Sequence, residues 1–400
     1  MLKETNISEE DFKKIKEFIP GPEPIIKERK ISVCEPDIRG NEIKYVRDAI
    51  ESTWISSRGK YLDLFEQEFA KKVGAEYAIA VNSGTNALYL ACAALGITEG
   101  DEVIIPTFTM ISTANSVVYL RAKPVLVDAD ASWQMDINLI EEKITKRTKA
   151  IMPVHIYGHP VDIGAIQSLA DKYDLYVIYD TAEAHGAEYN HNPLGNYGDA
   201  NCYSFYGNKI ITTGEGGMVT TNNKELADIA RNLKDMAFSK ERHFWHKMLG
   251  YNFRMTNLAA AVGLAQTERF DELVNAHRVN AFNYEYELRS INGITTPLEA
   301  NWAKNVYWMF GILIDEQKFG MSRDELRGFL ADRGIETRTF FVPIHFQPYY
   351  YEQYKGERYP VAEQLCRDGM YLPSSSLLTH QEIERVCNTI KEAYEFSLSC

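Results

Sequence analysis

Lys209 is the only cation in "SFYGNKIITTGEGGMV" (residues 204–219), and Gly214, Glu215, Gly216 and Gly217 follow it closely. A strand residue aimed into a core is normally apolar. One aimed at solvent needs neither three glycines nor a carboxylate close behind it, so the run reads as a site. Asp180 closes a second apolar run, "YVIYD". A carboxylate directly after a buried strand is costly unless a cation or hydrogen-bond donors satisfy it; the alternative is a helix-capping aspartate. In "NSGTNAL" (82–88) a strand ends, Gly84 permits a tight turn and a helix begins near Thr85. Free amides at a helix N-terminus, together with two hydroxyls, make a phosphate seat. Taken alone, that motif reads equally as a capping turn with no ligand.

A lysine able to form a Schiff base, an aspartate able to keep a pyridine nitrogen protonated and a seat for phosphate together meet the needs of pyridoxal 5'-phosphate chemistry. The protonated ring draws off the electron pair released at a substrate Cα, and the lysine amine shuttles the proton. Other classes lack their signatures. No GxxxxGK[ST] and no GxGxxG occur, which speaks against a nucleoside triphosphatase or a dinucleotide-dependent dehydrogenase. His243 and His246 stand at i, i+3, but no further ligands of suitable type cluster with them. They are read as an interface or surface feature, and no metal is expected.

The elements that must position these groups follow from hydrophobic patterning. Short apolar runs ("YAIAVNS", "EVIIPTF", "KPVLVDA", "AIMPVHIYG", "YVIYDTA") alternate with helical patterns from Tyr77 onward. This implies an α/β fold, a mainly parallel sheet between helices. A long helical pattern from Thr256 to about Ile291 precedes a smaller α+β region. The expected division is an N-terminal arm (1–30), a large domain (31–270) and a small C-terminal domain (271–400). In the arm, Phe12, Ile15, Phe18 and Ile19 predict a helix over 8–19 capped by Ser8. Its apolar stripe docks on the body or on a partner subunit, the alternative being a partly mobile tail. In such sheets ligands gather at the carboxyl ends of the strands. "NSGT", "PTFT", "HIYG" and "DTAE" should therefore face one crevice with Lys209.

The 400 residues are 45% hydrophobic and 25% charged, with a formal net charge of −13. That balance suits a globular protein and argues against a nucleic-acid surface. Cys34, Cys92, Cys202, Cys366, Cys387 and Cys400 form no CxxC pair, as expected for free thiols in a reducing compartment. The charged N-terminus has no signal-peptide pattern, and Asn82, Ser83, Thr85 and Asn86 interrupt the most apolar long stretch. A cytoplasmic protein without a membrane span is expected.

From about residue 31 to the C-terminus the chain resembles the DegT/DnrJ/EryC1/StrS sugar aminotransferase family of fold type I. The likeness is carried in order by "TWISSRGKY", "NSGTNAL", "IIPTFT", "PVHIYGHPVD", "DTAEAHGA", "SFYGNKIITTGEGGMV", "GYNFRMTNLAAAVGLAQ", "GIETRTFFVPIH" and "YLPSS". The resemblance implies that Lys209 carries the Schiff base and that Asp180 holds the pyridine nitrogen. It puts Glu183 near the ring hydroxyl, where many relatives have glutamine. Gly84, Thr85 and Ser204 would bind phosphate, and Asn252 would reach the phosphate of the neighbouring subunit, making a homodimer obligatory. At the ring-stacking position, where relatives often carry an aromatic residue, the resemblance implies Met110, with Phe108 nearby. Related dehydratases replace the lysine with histidine, so its retention favours amino transfer.

Within the family, "PVHIYGHPVD", "FWHKMLGYNFRMTNL" and "VPIHFQPYY" are similar to enzymes that aminate C4 of GDP-4-keto-6-deoxy-D-mannose, with L-glutamate as donor, by a ping-pong mechanism. The product would serve a glycan such as the O-antigen of a lipopolysaccharide. A UDP- or dTDP-linked 4-keto sugar is the alternative acceptor. A non-catalytic scaffold is the reading from another class, although it would need none of Lys209, Asp180 and Ser204. Trp54, Ser56, His155, Tyr157 and His345 are the sugar-side candidates, and Arg58 and Arg338 the candidates to face the diphosphate.

Overall fold

The computed structural model describes residues 7–26, 31–239, 241–242 and 244–399. His243, Cys400 and the parts of the arm at 1–6 and 27–30 lie outside the described residues. The apolar runs form seven strands: β1 (Tyr77–Val81), β2 (Glu102–Pro106), β3 (Lys123–Val127), β4 (Thr148–Ile151), β5 (Tyr176–Asp180), β6 (Ala200–Ser204) and β7 (Gly217–Thr221). Their order across the sheet is β1-β7-β6-β5-β4-β2-β3. β7 pairs antiparallel with both its neighbours and every other pairing is parallel. The carboxyl ends of β1 to β6 therefore share one edge, and β7 enters the sheet at that same edge through Gly217. Helices Gly84–Ala94, Ser112–Val118, Ile163–Tyr173 and Lys224–Lys234 pack against the sheet. Near-continuous apolar strands such as β2, buried at every position, are what a sheet covered on both faces requires.

A second, antiparallel sheet is built from β8 (Ile294–Thr295), β9 (Gly311–Ile314), β10 (Arg338–Thr339) and β11 (Gly369–Tyr371), in the order β8-β9-β11-β10. Helices Arg323–Asp332 and His380–Ser397 cover it, giving a separate core around Ile312, Leu326, Leu330, Met370, Val386 and Ile390. The helical pattern expected from Thr256 to Ile291 divides at Arg269 into Asn257–Glu268 and Phe270–Leu288. The second of these serves both cores, Phe270 and Val274 in the first and Tyr284 and Leu288 in the other. Ile31, expected with the large domain, packs in the second core and pairs with Ile335.

The arm helix is shorter than its pattern predicts, Glu9–Ile15, with the Ser8 hydroxyl accepting from the Asp11 amide. Its stripe docks on the body: Ile15, Phe18 and Ile19 pack with Val342, Phe346 and Tyr351. Among the described residues no helix is long and apolar enough to cross a membrane.

Candidate active site

At the shared edge lies a cavity of about 330 Å3, lined among others by Ser83, Gly84, Thr85, Met110, Ser112, Asp180, Glu183, Ser204, Lys209 and Trp308. One corner is the N-terminus of helix Gly84–Ala94. Ser83 caps it through the Asn86 amide, and Thr85 Oγ1 lies 2.8 Å from Ser112 Oγ. The end of β6 presses against this corner so closely that a Cβ on Gly84 would meet Ser204 Cβ at 2.6 Å. On the other side, a Cβ on Gly217 would lie 2.4 Å from the Ser83 carbonyl oxygen. Here glycine permits backbone to approach backbone. The result gathers free amides and the Ser204, Thr85 and Ser112 hydroxyls in one cradle, which suits a phosphate.

Asp180 ends β5 and is buried. Its Oδ2 accepts from the Thr113 hydroxyl at 2.8 Å and its Oδ1 from the Ala182 amide at 3.1 Å. Burial pushes its carboxyl above the usual range, while these hydrogen bonds and the nearby charge of Lys209 oppose that shift. A cationic ring nitrogen in this cavity would complete the compensation.

Lys209 is not a strand residue, as its apolar flanks suggested. β6 ends at Ser204, and Lys209 follows in a turn closed by its own amide on the Tyr206 carbonyl. The turn is pinned from the second sheet's side of the molecule: Trp308 Nε1 donates to the Asn208 carbonyl at 2.6 Å. The Trp308 ring in turn lies 3.5 Å, centroid to Nζ, from the lysine amine. Glu183 Oε1 stands 3.8 Å from the same Nζ, and Glu183 Oε2 accepts from the Tyr157 amide at 2.8 Å. Burial lowers the Lys209 pKa against the pull of the Glu183 and Asp180 charges. Burial likewise raises Glu183 to about 7. An amine shifted this way gives up its proton more readily than a surface lysine, which favours both nucleophilic attack and proton transfer.

Of the remaining expected residues, Met110 lines the cavity, its Sδ accepting from Ser112 at 3.2 Å. Phe108 lies wholly in the core against Tyr157, Phe340 and Phe341. Tyr157 touches the site through its backbone amide, at a φ of 52°, while its ring is buried beside Phe341. His155 does not face the crevice. Its ring stacks on Tyr179, Nδ1 accepts from the Val161 amide, and burial lowers it to about 3. His345 is buried elsewhere, on Thr107 and 3.7 Å from Glu363. Trp54, Ser56, Arg58 and Asn252 are exposed and line no part of this cavity. Arg338 pairs with Glu336 at 2.6 Å. Trp308 and Thr113 were missed by sequence reasoning. Each reads locally as an ordinary apolar-strand or helix residue.

Comparison with known proteins identifies the family. A model of the DegT/DnrJ/EryC1/StrS aminotransferase family matches residues 36–391. The GDP-perosamine synthase of Escherichia coli O157:H7 is 45% identical over 365 residues, 91% of this chain and 98% of that protein. The GDP-perosamine synthase of Vibrio cholerae is 42% identical, over 91% and 99% of the two chains. The structure of S. venezuelae DesV in complex with a ketimine intermediate superposes with a TM-score of 0.86 at 33% identity, covering 92% of this chain and 99% of that one. The chain belongs to the DegT/DnrJ/EryC1/StrS aminotransferase family, and its cofactor is pyridoxal 5'-phosphate.

Proposed function

We propose that this aminotransferase moves the amino group of L-glutamate to C4 of GDP-4-keto-6-deoxy-D-mannose, giving GDP-perosamine. The observation that carries the chemistry is the convergence of Lys209, Asp180 and the Gly84–Ser204 cradle on one cavity. The choice of acceptor is supported by the 45% and 42% identity to two GDP-perosamine synthases over nearly their whole length.

When bound, the cofactor supplies an electron sink for the bond broken at the substrate carbon. Ser204, Thr85 and the amides at the start of helix Gly84–Ala94 hold its phosphate. Asp180, fixed by Thr113 and Ala182, keeps a proton on its ring nitrogen. Lys209 would hold its aldehyde carbon, and its amine would move the proton at the substrate carbon. Trp308, whose ring lies 3.5 Å from that amine, would restrict where it swings. Glu183 stands within charge contact of the amine and would be the candidate to meet the ring hydroxyl. Met110 is the candidate to lie against the ring. The two substrates take turns in the same cavity.

The active unit in this proposal is a homodimer in which the exposed Asn252 and the Trp54–Arg58 segment reach the partner's cavity. The strongly exposed Trp54 and Ile55 support that reading, being apolar groups best covered by a second copy. A reducing, cytoplasmic setting is supported by the five free cysteines among the described residues. A sugar amine on a nucleotide carrier is activated for glycosyl transfer, which fits a surface glycan such as the lipopolysaccharide O-antigen. The test is a panel of GDP-, UDP- and dTDP-linked 4-keto-6-deoxy sugars with glutamate. GDP-4-keto-6-deoxy-D-mannose should turn over fastest; equal or better rates with a UDP sugar would overturn the assignment.

A further inference from the structure

The family match begins at residue 36, so the N-terminal arm lies outside it. Its anchoring is nevertheless specific. Apart from the apolar contacts already described, Phe18 packs on Phe346 with ring centroids 5.6 Å apart. Asp11 takes an ion pair from Lys355 at 2.6 Å, and the Gly21 amide donates to Asp324. These contacts lead the chain to Glu23. Its carboxylate accepts from the Arg327 guanidinium at 2.5 Å and stands 3.8 Å from Arg338.

Arg327 is an unusual partner for an arm. Its side chain is 1% exposed, and its Nε has no hydrogen-bond partner. The other anions in reach are Asp324, 3.8 Å from Arg327, and Glu336 on Arg338. A buried guanidinium is a costly group to hold without an anion, and Glu23, more than half exposed, is the one contributed by the arm.

The site adjoins the active-site cavity. Arg338 in β10 is registered opposite Tyr371 in β11, and Tyr371 lines the cavity. Burial raises the Tyr371 hydroxyl, and charges act on it from both sides: Glu183 from within the cavity, Arg338 and Glu23 from without. The arm's carboxylate thus occupies cationic ground one cross-strand neighbour from the cavity lining, and paired guanidinium groups suit an acceptor's diphosphate.

We propose that Arg327 and Arg338 form a diphosphate-binding site whose resident anion in the free enzyme is Glu23, so that the arm and the nucleotide-linked substrate exclude one another. This rests on the reading of the acceptor as a nucleotide sugar. The arm then acts as a competing ligand, and the apparent affinity for the diphosphate is reduced by the fraction of molecules with the arm docked.

The test uses the full-length holoenzyme and three probes: GDP, pyrophosphate and guanosine. Glu23→Gln should tighten GDP and pyrophosphate about fivefold, the span expected for losing a half-exposed ion pair, and leave guanosine unchanged. Phe18→Ser, which loosens the apolar anchor without touching either arginine, should shift the same two probes in the same direction. In the wild type, saturating GDP should speed hydrogen exchange across residues 8–26. Unchanged or weaker GDP and pyrophosphate binding in both variants, or arm exchange indifferent to GDP and UDP alike, overturns the proposal. If UDP displaces the arm and GDP does not, the arm proposal stands and the guanosine assignment falls.

Discussion

Gly84→Ala tests the phosphate cradle most directly, because two effects of opposite sign meet at that residue. Gly84 opens a helix, where alanine is worth at most about 1 kcal/mol over glycine. Against this, the new Cβ would sit 2.6 Å from Ser204 Cβ and 3.1 Å from Ser204 Cα. Carbon atoms rest at about 3.5–4.0 Å, so the helix start must retreat from β6 by roughly 1 Å. Neither opposing atom is the end of a flexible side chain, and such overpacking costs about 1–3 kcal/mol. The clash therefore wins, with a net loss of about 1 kcal/mol in the apoenzyme. The larger effect falls on the cofactor. Ser204 and the helix amides address one phosphate, and parting them forfeits at least one charge-assisted hydrogen bond, about 1.5–3 kcal/mol or tenfold to hundredfold in affinity. Absorbance titration of the apoenzyme with pyridoxal 5'-phosphate reads the affinity, and thermal unfolding reads the fold. Gly328→Ala is the control. Gly328 lies within helix Arg323–Asp332 with nothing within 4 Å of its Cβ position, so stability should rise by about 0.5–1 kcal/mol. Wild-type cofactor affinity in Gly84→Ala would refute the cradle.

Glu183→Gln should change how apoenzyme stability depends on pH. The folded pKa of about 7 lies above the ordinary 4.5, so the carboxyl's contribution is full below pH 4.5 and is lost as pH rises through 7. The wild type should thus lose up to ~3 kcal/mol across that window relative to the amide variant. Parallel denaturant profiles for the two proteins would contradict a carboxyl raised by burial beyond what Lys209 and the Tyr157 amide offset. Lys209→Ala should fold normally yet give no half-reaction with glutamate. Mixed with Asn252→Ala, it should recover about a quarter of wild-type activity through hybrid dimers with one intact site, whereas no recovery argues against a shared site. His155→Ala should lower stability by about 2–4 kcal/mol through the lost ring packing and the orphaned Val161 amide. The KM for the nucleotide sugar should not move; a selective rise in that KM would restore a substrate role.

The chemistry of this site is written in short stretches of chain. Lys209 within an apolar run, Asp180 at the end of another and "NSGT" at a strand-to-helix turn each pose a local physical problem: a charge without evident compensation, or amides without partners. One cofactor solves all of them, and a parallel sheet brings strand ends together whatever their spacing. The alternation of runs was therefore enough to place these residues on one edge. Short-range signals were less reliable where the backbone departs from the run. Lys209 proved to be in a turn, and the long C-terminal pattern broke at Arg269, since neither event changes hydrophobic periodicity.

What the residues do beyond their own neighbourhood was decided only by packing. Asp180 is held by Thr113, 67 residues away, and the turn bearing Lys209 by Trp308, 100 residues beyond its acceptor. Glu23 meets Arg327 across 304 residues. The "HIYG" strand end fell on the other side of the same divide: the fold turned its histidine onto Tyr179 and offered the site only a backbone amide. A residue type and its immediate spacing determine which charge needs a partner. Which group supplies that partner depends on how the second sheet and the arm close over the first, and no local pattern encodes that.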